Sequence, residues 1–169
     1  SVAPRNPCCE KTSSAASSES TASEPVQLTR SASETITNGT FDWVYEEEFS
    51  LRDGFRFSSD GQSIAFWEIN SQGIEPFTLV DNTTALYPIL QKIPYPKVGT
   101  TNPAARIGVI DLPSRDIRWI TIPGEPRDYY LARMEWLPKS RKLVVQQLNR
   151  LQNENRVYII SVDNDDAKV

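Results

Sequence analysis

Histidine is absent from this 169-residue chain, and that absence removes a whole class of chemistry. A Ser-His-Asp or Cys-His hydrolase needs an imidazole that accepts a proton near neutral pH and returns it. The chain by itself therefore supplies no catalytic residue of this kind. Its nearest approach to a nucleophile elbow, Gly61-Gln62-Ser63-Ile64-Ala65, lacks the second glycine and reads as turn then strand, where the elbow needs strand then helix. Cysteine is almost as scarce. Cys8 and Cys9 are the only two, and they are adjacent. Neighbouring cysteines seldom bridge to each other, and no second pair is present to build a zinc site. A structural or incidental role is the first reading for them, with lipidation, metal capture or pairing with a partner chain left open. Clustered cations are missing as well: 18 Lys and Arg against 22 Asp and Glu leave a net charge of −4, with no dense basic block. That argues against a nucleic-acid partner, because phosphate binding needs such a block. No apolar run approaches the roughly 18–20 residues of a membrane-spanning helix. No cofactor and no metal site are expected.

What is present divides unevenly along the chain. Every Trp, Tyr and Phe lies at or beyond residue 41. Residues 1–25 are rich in Ser, Ala, Thr, Pro and Glu, and so cannot bury enough surface to offset their ordering entropy. They are read as a low-complexity, disordered tail. Residues 26–169 are read as the structured part. There Phe55-Arg56-Phe57, the turn Ser59-Asp60-Gly61 and the run Ser63–Ile69 form a hairpin signal, since glycine accepts the positive φ that such a turn demands. Further strands are predicted at Ile74–Val80, Arg106–Leu112, Arg118–Ile122, Tyr129–Trp136, Lys142–Leu148 and Arg156–Val162. Helical periodicity is not sustained beyond about two turns. The proline-rich stretch Ile93–Pro103 is read as a long inter-strand loop, because its prolines remove ladder donors.

The hairpin has an internal echo. Phe57 to Phe66 aligns without a gap on Trp136 to Val145, an offset of about 79 residues. At roughly 40–50 residues per propeller blade this is nearer to two blades than one, although an insertion in a single oversized blade would also explain it. Repeated hairpins in an all-β chain favour a propeller over a sandwich. The expected fold is all-β: a fragment of a β-propeller made of a few four-stranded antiparallel blades, with a short helical turn near Glu46–Phe49.

The most informative stretch is Asp42-Trp43-Val44-Tyr45-Glu46-Glu47-Glu48-Phe49. Three consecutive carboxylates repel one another, and on a strand neighbours would point to opposite faces. For two of them to converge the backbone must turn, as in a short helix or a bulge. A converging pair suits an alkyl-ammonium, which offers three N–H donors to groups that only accept. Calcium is a second candidate, and a solvated acidic surface a third. The residues alone leave all three open.

This run resembles the glutamate motif of the dipeptidyl peptidase IV family. Three further stretches resemble the same family in the same order: Arg52–Gly61, then Tyr95–Gly99 with Asn102-Pro103, then Gln147–Asn153. The sequence flavour is that of bacterial members. In that family a β-propeller sits over an α/β-hydrolase domain, and the enzyme removes N-terminal dipeptides, preferentially after proline or alanine. The resemblance implies that Glu47 and Glu48 hold the free α-ammonium of the substrate, with Glu46 a structural neighbour and Phe49 beside the pocket. It places the catalytic serine, aspartate and histidine on the hydrolase domain, outside this chain. It also places a substrate-holding arginine upstream, for which residues 1–25 offer no match.

The expected function is the substrate-positioning propeller portion of a dipeptidyl-peptidase-IV-like serine exopeptidase. The alternative is a non-catalytic propeller module for protein interaction. Expected partners are a peptide N-terminus and the α/β-hydrolase domain, with a homodimer in the intact enzyme. A periplasmic, extracellular or cell-envelope location goes with the reading.

Overall fold

The computed structural model describes residues 24–164 and 166–168. Cys8 and Cys9, and nearly all of the stretch read as a tail, lie outside those residues. The described chain is built almost wholly from antiparallel strands, arranged as two successive meanders. The first sheet contains β1 (Ile36–Asn38), β2 (Phe55–Phe57), β3 (Ser63–Asn70), β6 (Ala104–Asp111) and β7 (Ile117–Ile120). The second is a four-stranded meander of β8 (Tyr129–Trp136), β9 (Lys142–Asn149), β10 (Asn155–Ser161) and β11 (Asp166–Lys168). A separate two-stranded hairpin, β4 (Pro76–Asp81) with β5 (Ile89–Pro94), stands between β3 and β6. The only helix among the described residues is α1, Trp43–Phe49.

Register explains how the helix is mounted. β1 pairs with residues 68–70 of β3 and β2 pairs with residues 64–66, while β6 occupies the other side of β3 throughout. β1 and β2 therefore lie end to end along one edge, like a single strand interrupted by the α1 excursion. The base of that excursion is pinched shut. Gly54 N–H donates to the Gly39 carbonyl at 3.2 Å, Gly39 N–H donates to Trp67 O at 2.9 Å, and Trp67 N–H donates to Gly54 O at 3.0 Å.

The core lies between the two sheets and follows the two-residue period of a strand. Ala65, Trp67 and Ile69 of β3 meet it, as do Ala105, Ile107 and Val109 of β6, and Leu143 and Val145 of β9. In β8 the parity changes, because a bulge lies between Leu131 and Arg133. One extra residue lets Leu131 and then Met134 both point inward while Arg133 stays outside. Leu131 also anchors two aromatic residues: its N–H donates to the Tyr45 hydroxyl at 3.0 Å, and its carbonyl accepts from Trp67 Nε1 at 3.0 Å.

The internal echo is real, and its spacing has the second of the two explanations. Phe57 pairs with Ile64, and Trp136 pairs with Leu143, at equivalent places in the two sheets. The turn bonds match too, Ser58 N–H to Ser63 O and Leu137 N–H to Lys142 O, both 2.9 Å. Equivalent positions even touch, through an Arg56–Glu135 ion pair of 2.7 Å and a Trp136 Nε1 bond to Arg56 O of 3.0 Å. The two sheets are consecutive in the chain, so the offset spans one blade enlarged by the β4–β5 insertion and not two blades. The proline-rich stretch also needs correction: Ile93 and Pro94 end β5, and the loop begins only at Tyr95. The prolines cost nothing there, because Pro76 and Pro94 face each other at the end of a two-stranded ribbon with no outer strand to receive a donor. Val80, Leu90, Leu86 and Tyr87 of this hairpin are exposed.

Candidate functional site

The local sequence dictates α1 and its orientation. Asp42, in extended conformation, caps the N-terminus by accepting from Tyr45 N–H at 3.2 Å, and Ser50 closes the C-terminus in the left-handed region at φ 54°. Val44, Tyr45 and Phe49 are buried. Tyr45 stacks on Phe41 with ring centres 5.4 Å apart, and Phe49 packs on Tyr130 at 5.3 Å. With that face committed to the core, Glu46, Glu47 and Glu48 are left exposed. The helix begins at Trp43, three residues before the start read from the sequence, because the Asp42 cap starts it there.

Consecutive helical positions fan out by about 100° each, so the three carboxylates do not share one direction. Among the described residues no three His, Cys, Asp or Glu side chains converge as a metal site would need. Glu48 faces a groove of about 610 Å³ whose other walls include Tyr130, Arg150, Gln152 and the loop from Pro96 to Asn102. Gln152 Nε2 donates to Glu48 Oε2 at 2.5 Å. Glu47, its neighbour, is exposed and makes no hydrogen bond or ion pair among the described residues. Glu46 sits in the first turn, where its charge acts on Asp42. Carboxylates in the last turn of a helix oppose its dipole, and no basic residue accompanies them there. An ordinary surface helix gains nothing from that placement; a cation brought to this end relieves it.

The loop that walls the groove is fastened by two guanidinium groups. Arg150 Nη2 donates to Thr100 O at 2.6 Å, and Arg127 donates to Asn102 O at 2.7 Å and to Gln72 O at 3.0 Å. Both cations are thus spent on carbonyl oxygens. Burial holds the Tyr130 hydroxyl above the ordinary phenol value; Arg150 pulls it back, Glu48 pushes it up and the adjacent Gln152 amide pulls it down. These four side chains form one electrostatic neighbourhood at the mouth of the groove. Sequence reading missed Gln152, Tyr130, Arg150 and Arg127 as functional candidates. Two of them lie in the Gln147–Asn153 stretch singled out above, but nothing in that turn reveals that it folds against α1.

Asp42 is a second titratable feature of the mount. Burial raises its carboxyl to about 6, against the pull of the Tyr45 N–H and its own N–H and with a further push from Glu46. Its Oδ2 is buried without a hydrogen-bond partner. Because the folded value exceeds the unfolded one, the native chain holds the extra proton between about pH 4 and pH 6. Its contribution to stability is complete below that window and lost as pH rises through it. Asp42→Asn keeps a capping oxygen and removes the cost of the buried charge. Urea unfolding should show Asp42→Asn more stable than wild type by about 1–3 kcal/mol at pH 7.5, with the gap closing by pH 4. A constant difference across that range would contradict the assignment.

Comparisons with known proteins bear on the family and the fold. Residues 17–169 match the family model described as "Dipeptidyl peptidase IV (DPP IV) N-terminal region", a match that begins inside the stretch read as a tail. A protein named inactive dipeptidyl peptidase 10, from Rattus norvegicus, is 35% identical over 136 residues, covering 78% of this chain and 17% of its own. A probable dipeptidyl peptidase 4 from Emericella nidulans is 30% identical over 151 residues, covering 84% and 19%. The crystal structure of Porphyromonas gingivalis dipeptidyl peptidase 4 superposes with a TM-score of 0.78 at 27% identity, over 85% of this chain and 20% of that one. The chain thus spans about a fifth of the length of these relatives.

Proposed function

Because this chain belongs to the dipeptidyl peptidase IV family, within its N-terminal β-propeller region, we propose that it positions the substrate of a serine exopeptidase. In this reading an α/β-hydrolase domain supplies the nucleophile, and Glu47 and Glu48 receive the free α-ammonium of a peptide whose second residue is proline or alanine. The observation that carries it is Glu48 itself: an exposed carboxylate at the groove, held through one oxygen by the neutral amide of Gln152. The two-methylene side chains of Glu47 and Glu48 let adjacent carboxylates swing onto one cation from the end of α1. Anchoring the terminus acts as a ruler, since it fixes which bond reaches the nucleophile.

Peptides beginning X-Pro or X-Ala, incubated with the enzyme that unites this region and its hydrolase domain, should release N-terminal dipeptides, read by mass spectrometry. Products arising mainly from internal bonds would contradict the ruler.

A second reading has one observation in its favour. The relative at 35% identity is named as inactive, so a propeller of this kind also occurs in a protein named without catalysis. A hydrolase domain joined to this chain but lacking the serine, aspartate or histidine would select that reading, an interaction module with the acidic motif as surface.

A further inference from the structure

We propose that Gln152 is the positioning residue of the amino-terminus clamp, fixing Glu48 through one carboxylate oxygen so that the other faces the incoming ammonium. The inference rests on the reading that Glu48 binds that ammonium, and it names what holds Glu48 ready.

Three observations converge on Gln152. It reaches across 104 residues of sequence, from the β9–β10 turn to the last turn of α1, to donate Nε2–H to Glu48 Oε2 at 2.5 Å. Its backbone sits in the left-handed region at φ 55°, a state that a residue with a Cβ seldom adopts and that glycine would enter without strain. The turn around it is fixed from several sides. Gln152 N–H donates to Asn149 O at 2.9 Å, Asn149 Oδ1 accepts from Asn153 N–H and Glu154 N–H at 3.1 Å each, and Asn149 Nδ2 donates to Asn153 Oδ1 at 2.7 Å. The turn therefore does not depend on the glutamine side chain. That side chain is presented outward to α1, at the expense of a strained backbone, as happens where geometry serves a site.

The chemistry of the contact favours recognition of a cation. An amide donates a hydrogen bond without neutralising the carboxylate it orients. A Lys or Arg in its place would be a permanent counter-ion, competing with the ligand. The cations that line the groove with Glu48 are Lys97, Arg127 and Arg150. The two guanidinium groups are turned to carbonyl oxygens, Arg150 to Thr100 O and Arg127 to Asn102 O and Gln72 O, and so leave the charge of Glu48 available. Tyr130 lines the same groove and feels the same amide.

The test is a set of variants of the two-domain enzyme, assayed on Ala-Pro chromogenic substrate. Gln152→Gly suits the left-handed backbone, so its melting temperature should stay level or rise while KM rises about tenfold and kcat changes little. Gln152→Lys should raise KM at least as far, because Glu48 acquires a fixed partner. In a Glu48→Gln background, Gln152→Gly should change kcat/KM less than twofold, since the group it positions has lost its charge. Equal losses in both backgrounds would overturn the proposal, as would a Gln152→Lys enzyme with wild-type KM. A large Glu48→Gln effect with a silent Gln152→Gly would overturn this inference alone and leave the ammonium anchor standing. A silent Glu48→Gln would overturn both.

Discussion

In the proposed two-domain enzyme, acetylating the substrate's amino group should lower kcat/KM on the order of 100-fold or more, and Glu47→Gln or Glu48→Gln should each cost on the order of 10–100-fold. Each carboxylate is assigned a charge-assisted hydrogen bond to the ammonium, worth roughly 1.5–3 kcal/mol. At about 1.4 kcal/mol per tenfold, one such bond gives the single-variant range, and removing the cation removes both bonds. Misplacement of the scissile bond adds to the loss. Glu46→Gln is the control. Its side chain stands in the first turn of α1, where its charge acts on Asp42, and its loss should change kcat/KM only a fewfold. For the acetylated substrate the Glu47→Gln and Glu48→Gln enzymes should match wild type, because the group they recognise is gone. Equal cleavage of free and acetylated substrates, or a Glu46→Gln loss as large as that of Glu48→Gln, would return the acidic run to a solvated surface.

Gly54→Ala should be the most damaging single methyl group in the α1 mount. A Cβ at this position would lie 2.6 Å from Gly39 C, 2.7 Å from Thr40 N and 2.9 Å from Gly39 O. All three are backbone atoms, held by the hydrogen-bonded pinch among Gly39, Gly54 and Trp67. No rotamer change can relieve that contact. The base of the loop must open, straining both the edge of β3 and the entry to the helix that carries Glu47 and Glu48. Overpacking of this sort costs about 1–3 kcal/mol, and rigid backbone on both sides puts Gly54→Ala at the upper end. For a domain of this size that corresponds to a fall in melting temperature of about 6–12 °C. Gly61→Ala separates crowding from backbone conformation. Gly61 has φ +67° but nothing within 4 Å of an added Cβ, so it should cost only the left-handed penalty of about 1–2 kcal/mol. If the two variants unfold together, the pinch is not what holds the helix.

Legibility in the sequence tracks how far each feature depends on local pattern. β8 is read at its observed bounds, Tyr129–Trp136, because its aromatic and apolar run is both long and flanked by polar turns. β2 and β3 follow from the Asp-Gly turn. β1 is missed, since Ile36–Asn38 is three residues long and becomes a strand only by pairing with residues 68–70 of β3. β5 is missed because its flanking prolines argue against a ladder, and that argument lapses in a ribbon with no outer partner. β11 has no apolar signature at all in Asp166-Ala167-Lys168. In the site, Glu48 is legible because three adjacent carboxylates break a local rule. Its partner is not: a glutamine in a Leu-Gln-Asn turn carries no mark of a contact made 104 residues away. The echo is visible in the sequence, but the choice between one enlarged blade and two depends on β4 and β5 pairing with each other and with nothing else among the described residues.

In the proposed reading the end of α1 receives a peptide's amino terminus. This is tested most directly by a crystal structure of the two-domain enzyme, inactivated at its serine and soaked with an X-Pro peptide. The peptide's ammonium nitrogen should lie at about 2.7–2.9 Å from carboxylate oxygens of both Glu47 and Glu48, with Gln152 still bonded to Glu48. A peptide whose amino terminus points to solvent, or is held elsewhere while Glu47 and Glu48 remain hydrated, would contradict it.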